Sequence, residues 1–272
     1  MRKRVTDTAQ ESERGDGDRQ FVTALHRGLE ILRAFTPTDR AGLGNSDLAE
    51  RTGLPNSTVS RLTFTLLKAG YLVYDDNTGR YRMGVPVLSL GYACLAGLHV
   101  RETAQVYMQK LADDCGDGVL VALGGRDDMT MSYIACARSV GVISLQLDVG
   151  SRISLARSAM GRAYIAGTTD AERNDIIERV KERTEPDKLN AILDGIADAR
   201  EQVLTRGFYA NFGEWQRDVH AVSVPYRSPQ ADTPMLAFNL GGYSFSLPRD
   251  RLENDLGPRL VELVQTVSRV GY

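Results

Sequence analysis

At 272 residues the chain is long enough for about two ordinary domains. Hydrophobic residues at 42% and charged residues at 25% describe a globular protein and exclude wholesale disorder. The net charge of −2 argues against a nucleic-acid partner over the whole chain, yet it is unevenly divided: residues 1–20 are neutral, residues 21–91 hold eight basic and six acidic side chains, and residues 92–272 are acidic.

Residues 1–20 are polar, charged and rich in Gly and Asp, the composition of a disordered tail. From Phe21 the pattern changes. Phe21, Leu25, Leu29, Leu32 and Phe35 recur every three or four residues and predict an amphipathic helix, ended by Pro37. A short second helix follows, with Asn45 or Ser46 as N-cap and Gly53 as its stop. Pro55 and Asn56 open a third helix that Gly70 closes. Tyr71–Tyr74 and Arg80–Met83, joined by Asp75-Asp76-Asn77-Thr78-Gly79, carry a hairpin signal.

The stretch from Met83 to Val100 has no charged side chain, but at 18 residues with Pro86 and several glycines it is a poor membrane span. It reads as a linker helix over Val87–Leu98, buried or facing a dimer partner. A further helix places Ala104, Tyr107, Leu111 and Cys115 on one face. Strand candidates then fall at Val119–Leu123, Met129–Ala135 and Val142–Asp148, and a small-residue helix at Ser158–Ala166. Two polar helices cover Asp170–Glu182 and Asp187–Arg206. Strands follow at Phe208–Asn211, Ala221–Tyr226 and Met235–Leu240, and a last helix runs from Pro248 to Val270. The expected boundaries are a tail at 1–20, a DNA-binding domain at 21–84, a linker helix at 85–98 and a second domain at 99–272. The second domain is of the α+β class with a mostly antiparallel sheet.

On a helical wheel, Val59, Leu62 and Leu66 of the third helix fall together on the buried face, and Ser57, Arg61, Phe64 and Lys68 fall opposite. A hydroxyl, a guanidinium and an ammonium on one exposed face suit contacts to bases and phosphates. The free N–H groups at Asn56, Ser57 and Thr58 suit a phosphate, and Ser60 lies one turn in. On the hairpin, Arg80 and Arg82 share the outer face of a wing. Charged residues on solvated faces are common in any small domain, so these residues alone favour DNA binding without establishing it.

The string Ala24-Leu25-His26-Arg27-Gly28-Leu29-Glu30-Ile31-Leu32 resembles the opening of IclR-family transcriptional regulators. So do Leu48-Ala49-Glu50-Arg51-Thr52-Gly53-Leu54-Pro55-Asn56-Ser57-Thr58-Val59-Ser60-Arg61-Leu62 and Arg80-Tyr81-Arg82-Met83-Gly84. A looser likeness continues through Asp148-Val149-Gly150-Ser151-Arg152, Ser158-Ala159-Met160-Gly161-Arg162-Ala163, Arg206-Gly207-Phe208 and Val222-Ser223-Val224-Pro225. The resemblance implies a winged helix-turn-helix joined to an effector domain of GAF or profilin-like fold. It also implies assembly as dimers or tetramers, binding to double-stranded DNA near promoters, and control by a small organic acid or aromatic effector, commonly in carbon catabolism. By position, the family's pocket falls on Ala159, Met160, Asn211, Ala221, Asn239 and Gly241. This chain departs from members that have a cysteine, two serines and an aspartate there. Fewer hydroxyls and one carboxylate less point away from an α-keto acid and toward a larger or more apolar carboxylate. Arg157, just before the small-residue helix, reads as a counter-charge or as a solvent-facing arginine.

Catalytic constellations are missing from the sequence. His26, His99 and His220 are far apart, and there is no GxSxG, P-loop or HExxH. Cys94, Cys115 and Cys136 are odd in number and lack chelating spacing, so they read as reduced, buried thiols of a cytoplasmic protein with no metal site and no cofactor. Met1-Arg2-Lys3-Arg4 is followed by no apolar run and is not a signal peptide. The reading is a non-enzymatic regulator. The alternative is an enzyme acting on a small carboxylate with an appended DNA-binding module, and a third is a ligand-free DNA-bending protein.

Overall fold

Glycine and proline set the boundaries of the first three helices. The computed structural model describes residues 21–116, 118–139, 141, 143–228 and 234–270, so the tail expected over 1–20 lies outside the described residues. The chain divides into two units, Met1–Cys94 and Leu95–Tyr272. In the first, α1 (Thr23–Arg33), α2 (Asn45–Thr52) and α3 (Asn56–Lys68) precede a hairpin of β1 (Leu72–Asp75) and β2 (Arg80–Met83). Gly53 ends α2 at φ +67°, a left-handed position that favours glycine. Pro55 flanks α3 and gives its carbonyl to the amides of Thr58 and Val59. The N-terminus of α2 differs from the expected cap: Asn45 is already helical, and the carboxylate of Asp47 accepts the Gly44 amide at 2.9 Å.

Ile31, Leu43, Leu48, Val59 and Leu72 form the core of this unit, with Leu62, Leu66 and Tyr81 packed on it. Arg51 closes the α1–α2 loop by donating to both oxygens of Asp39 and to the Ala34 carbonyl. Most of the apolar stripe of α1 is not buried. Leu32 and Phe35 are partly buried, but Phe21, Leu25 and Leu29 are exposed, and the fully buried residue is Ile31. The first two turns of α1 face α3 across an open groove and are left largely uncovered by the described residues. The helix α4 (Val85–Ala96) starts two residues before the expected linker helix and buries none of its residues.

The second unit is a three-layer arrangement around one sheet of strand order β5-β4-β3-β8-β7-β6, antiparallel at every pair. The strands are β3 (Leu120–Asp127), β4 (Thr130–Arg138), β5 (Arg152–Ser154), β6 (Tyr209–Phe212), β7 (Val219–Tyr226) and β8 (Leu236–Tyr243). The period of two along each strand sorts the faces. Val121, Leu123, Val222, Val224, Phe238 and Leu240 pack under α5 (Val100–Cys115) and the last helix, α9 (Gly257–Val270). Leu120, Ala122, Met131 and Tyr133 pack under α6 (Ala159–Gly167), α7 (Asp170–Arg183) and α8 (Pro186–Arg206).

Two expectations are corrected here. Val142 lies outside the described residues, and 143–148 form no strand; the alternation there comes from Leu145 and Leu147 plugging the α6-side core. The strand on the outer edge of β4 is instead β5, after the turn at Gly150. The last helix is also interrupted: a turn at Arg249–Arg251 passes through a π-helical turn at Leu252–Leu256 before α9.

Candidate functional site

The exposed face of α3 carries Ser57, Arg61, Phe64 and Lys68. Thr63 joins Val59 on the buried face, donating to the Val59 carbonyl. Lys68 Nζ sits 5.5 Å from the Phe64 ring centroid, a cation–π contact that holds the aromatic on the surface. The Arg61 guanidinium has no partner among the described residues. It is free to meet an anion or a guanine edge. Asn56 and Ser60 are partly committed to the α2–α3 junction: Asn45 donates to Asn56 Oδ1 at 3.0 Å, and Ser60 donates to the Asn56 carbonyl and Asn45 Oδ1. Thr58 is half-buried at the start of the helix. On the wing, Arg80 donates to the Gly42 carbonyl and Asp47, and Arg82 lies 3.6 Å from Asp75. Of the eight residues expected at a nucleic acid, Ser57, Arg61 and Lys68 hold their polar atoms out most freely.

The second candidate lies in the second unit, where the N-terminus of α6 faces the sheet across a small cavity of about 20 Å³. Cross-strand register builds its floor. Asn211 of β6 stands opposite Ala221 of β7, and Ala221 opposite Gly241 of β8, so three residues far apart in sequence form one row. Asn239 is two residues from Gly241 on the same face. Ala159 and the N-cap Ser158 supply the roof; Tyr133, Leu145, Ile153, Trp215 and Val219 complete the walls. Five of the six positions expected at an effector therefore line one cavity. Met160 does not: its side chain is buried against Gly124, leaving only its amide near the helix N-terminus. Tyr133 and Trp215 were missed, since nothing local marks them.

Helix α6 fits closely because residue 161 is glycine; a Cβ there would lie 2.0 Å from the Leu155 carbonyl oxygen. Ser158 Oγ accepts the Gly161 amide, while the amides of Ala159 and Met160 have no acceptor among the described residues. The Asn239 carboxamide, on a residue only 5% exposed, and the Tyr133 hydroxyl have no hydrogen-bond partner among the described residues. Burial raises the Tyr133 phenol well above its ordinary range, so it is a neutral donor. No carboxylate lines the cavity. Unpaired donors in an enclosed, mostly apolar space suit an anionic head on an apolar body.

Arg157 does not point into this cavity. Its guanidinium donates to the backbone carbonyls of Glu214 and Trp215. Arg162 is buried behind the wall, bonded to Tyr209 Oη at 2.6 Å and to the Glu214 carboxylate. Of the three thiols expected to be buried, Cys94 is exposed, on the uncovered helix α4, and Cys136 is only partly buried; burial pushes the Cys136 thiol up to about 12 and raises that of Cys115, so neither is a thiolate at neutral pH. Among the described residues no cluster of His, Cys, Asp or Glu has the makings of a metal site, and no helix is long and apolar enough to cross a membrane.

Residues 24–76 match the family model of the IclR helix-turn-helix domain, and residues 92–269 match that of the bacterial transcriptional regulator IclR C-terminal domain. The chain is 31% identical to the HTH-type transcriptional regulator TsaQ1/TsaQ2 of Comamonas testosteroni, over 97% of this chain and 92% of that one. Among solved structures it resembles an IclR-family transcriptional regulator from Brucella abortus, with 44% identity, a TM-score of 0.82, and coverage of 93% of this chain and 94% of that one. An IclR homologue from Microbacterium hydrocarbonoxydans, solved with 4-hydroxybenzoate, shares the fold at 21% identity and a TM-score of 0.63, covering 91% of this chain and 96% of that one.

Proposed function

The chain belongs to the IclR family of transcriptional regulators, and from that premise we propose that it is a ligand-controlled regulator of a catabolic operon whose effector is a small carboxylate with an apolar, aromatic body. The observation that carries this reading is the cavity under α6, where the Asn239 carboxamide, the Tyr133 hydroxyl and the α6 amides have no partner among the described residues. Asn211 and Asn239 fix the ligand's polar end beside the amides of Ala159 and Met160, while Ala221 and Gly241 put no bulky side chain in the way of its body, which enters as the small cavity widens. The 4-hydroxybenzoate held by the Microbacterium homologue is of this chemical class.

DNA is read by α3 through Asn56, Ser57, Thr58, Ser60, Arg61 and Lys68, with Arg80 and Arg82 of the wing on the backbone. Residues 21–84 serve as this module, 85–98 as linker and 99–272 as sensor. The chain works in the cytoplasm as a dimer or tetramer. The exposed Leu25, Leu29 and Leu88 (62, 50 and 72% accessible) are the surface that a second copy covers. It is a binding protein, not an enzyme: the cavity has unpaired donors but no acid–base pair, and the two buried thiols are protonated.

The test is a mobility-shift titration at stated salt against the promoter region beside the protein's own gene, with and without a panel of aromatic and aliphatic carboxylates. The expected result is specific binding that one acid class shifts, with Arg61→Ala weakening it by about 1–3 kcal/mol. For an effector to change operator affinity 30-fold, it must favour one state by about 2 kcal/mol. Equal affinity for operator and random DNA at every salt concentration overturns the reading.

A further inference from the structure

The turn between β6 and β7, residues 213–218, supplies the cavity wall through Trp215, and it is anchored from the α6 side at several points. Arg157 donates to the Glu214 carbonyl from Nε at 3.2 Å and Nη2 at 2.9 Å, and to the Trp215 carbonyl at 3.4 Å. The Glu214 amide donates to Asn211 Oδ1, and Asn211 Nδ2 donates back to the Arg157 carbonyl. The Glu214 carboxylate takes an ion pair from Arg162 at 2.5 Å and a hydrogen bond from Tyr209 Oη at 3.3 Å. Arg162 is 1% exposed, whereas the Glu214 side chain is 46% exposed. A guanidinium does not shed its proton, so a buried Arg162 needs Glu214, and the closed position of the turn is the one that keeps this charge paired.

We propose that the 213–218 turn is the gate of the ligand site and that Trp215 is its specificity-determining face, against which a flat apolar body packs while the anionic head meets the α6 N-terminus. This rests on the reading of the cavity as the effector site. Three observations support it. The cavity has its unpaired, nearly buried Asn239 carboxamide beside the α6 amides, so a polar head has defined partners. Trp215 faces Leu145, Ile153 and Val219, so the body of the ligand meets apolar surface and one aromatic plane. Asn211 both lines the cavity and holds the turn through the Glu214 amide, so a ligand that takes up Asn211 competes with a gate anchor. The gate is hinged at Gly213, which has φ +81°, a position that favours glycine, and donates its amide to the Val219 carbonyl.

Trp215 is the single tryptophan of the chain, so its emission reports this gate alone. The experiment titrates the full chain with benzoate and 4-hydroxybenzoate, and with cyclohexanecarboxylate and pyruvate for contrast, following fluorescence and calorimetry in parallel. The expected result is a saturable change in Trp215 emission with the calorimetric midpoint, for the flat acids in preference to the other two. Arg157→Ala and Glu214→Gln, which leave the cavity lining intact, speed ligand release roughly tenfold in stopped flow, as expected for loss of charge-assisted hydrogen bonds. Trp215→Ala loses the preference for flat acids, and Trp215→Phe restores it. Calorimetric binding with unchanged Trp215 emission, or undiminished preference in Trp215→Ala, overturns the gate while leaving the effector reading intact. No heat from any of these acids, together with operator complexes that none of them shifts, overturns both.

Discussion

The two units of this protein solve the same problem, hiding apolar surface, in opposite ways. The first has a five-residue core under three short helices and a hairpin, and leaves the apolar stripe of α1 and nearly all of α4 in the open. The second buries both faces of a six-stranded sheet and still keeps an enclosed space with unpaired donors inside it. A module of some seventy described residues has too little interior for all its hydrophobic side chains. The unit with the larger interior keeps a small cavity between α6 and the sheet. The first unit's stability is therefore expected to depend on a second copy, and the second unit's on its own packing.

The largest effect expected from breaking this contrast lies at Gly161. A Cβ there meets backbone, not a movable side chain, with Leu155 O at 2.0 Å and Leu155 C at 2.5 Å. Gly161→Ala is expected to destabilise the second unit by about 3 kcal/mol, the upper range for overpacking against a rigid neighbour. Denaturant unfolding checks this: the transition of the second unit moves to lower denaturant while that of the first does not. A shift of both together means that the units unfold as one. Next in size is Leu25→Glu, placed on the exposed stripe of α1. Leu25 is 62% exposed, so no buried contact among the described residues is lost and the folded unit tolerates it. Self-association is expected to weaken about 30-fold, from a loss of about 2 kcal/mol typical of a central interface residue. Sedimentation equilibrium reads the outcome, and unchanged assembly moves the interface away from α1.

How much of this was legible in the sequence follows the same division. The first unit is built from local signals: Gly53 and Pro55 punctuate α2 and α3, and Asp75–Gly79 turns the hairpin, so each boundary has its cause within a few residues. The stripe of α1 was legible as an apolar face, but periodicity marks such a face without saying what covers it. In the second unit the strands were legible but their neighbours were not. Asn211, Ala221 and Gly241 form a row only through two antiparallel registers, and their site was reached by resemblance alone. Tyr133 and Trp215 had no such help. One lies in an alternating strand and the other in a turn, and only the folded sheet brings them to one cavity. Met160 shows the converse, a position adjacent in sequence to the site whose side chain packs elsewhere.

The smallest effect expected is electrostatic and belongs to the first unit. With so few buried residues, its loop between α1 and α2 is held by a polar staple, Asp39 bound through both oxygens to Arg51. The Arg51 guanidinium, and then the Thr36 hydroxyl, hold the Asp39 carboxyl well below the usual carboxylate range. A carboxyl whose folded value is depressed stabilises the fold fully above its unfolded value, near 3.9, and loses that contribution as pH falls toward the folded value. Asp39→Asn keeps the shape but removes the charge, and is expected to cost the first unit about 1 kcal/mol at neutral pH, the upper end for a pair near the surface. Following unfolding midpoints from pH 7 to pH 2.5, the wild type should descend toward the variant below about pH 4, because protonation removes from one what substitution removed from the other. Parallel curves over that range would mean that Asp39 acts through its hydrogen-bond geometry and not its charge, and the loop would then be held by the Ala34 carbonyl bond to Arg51.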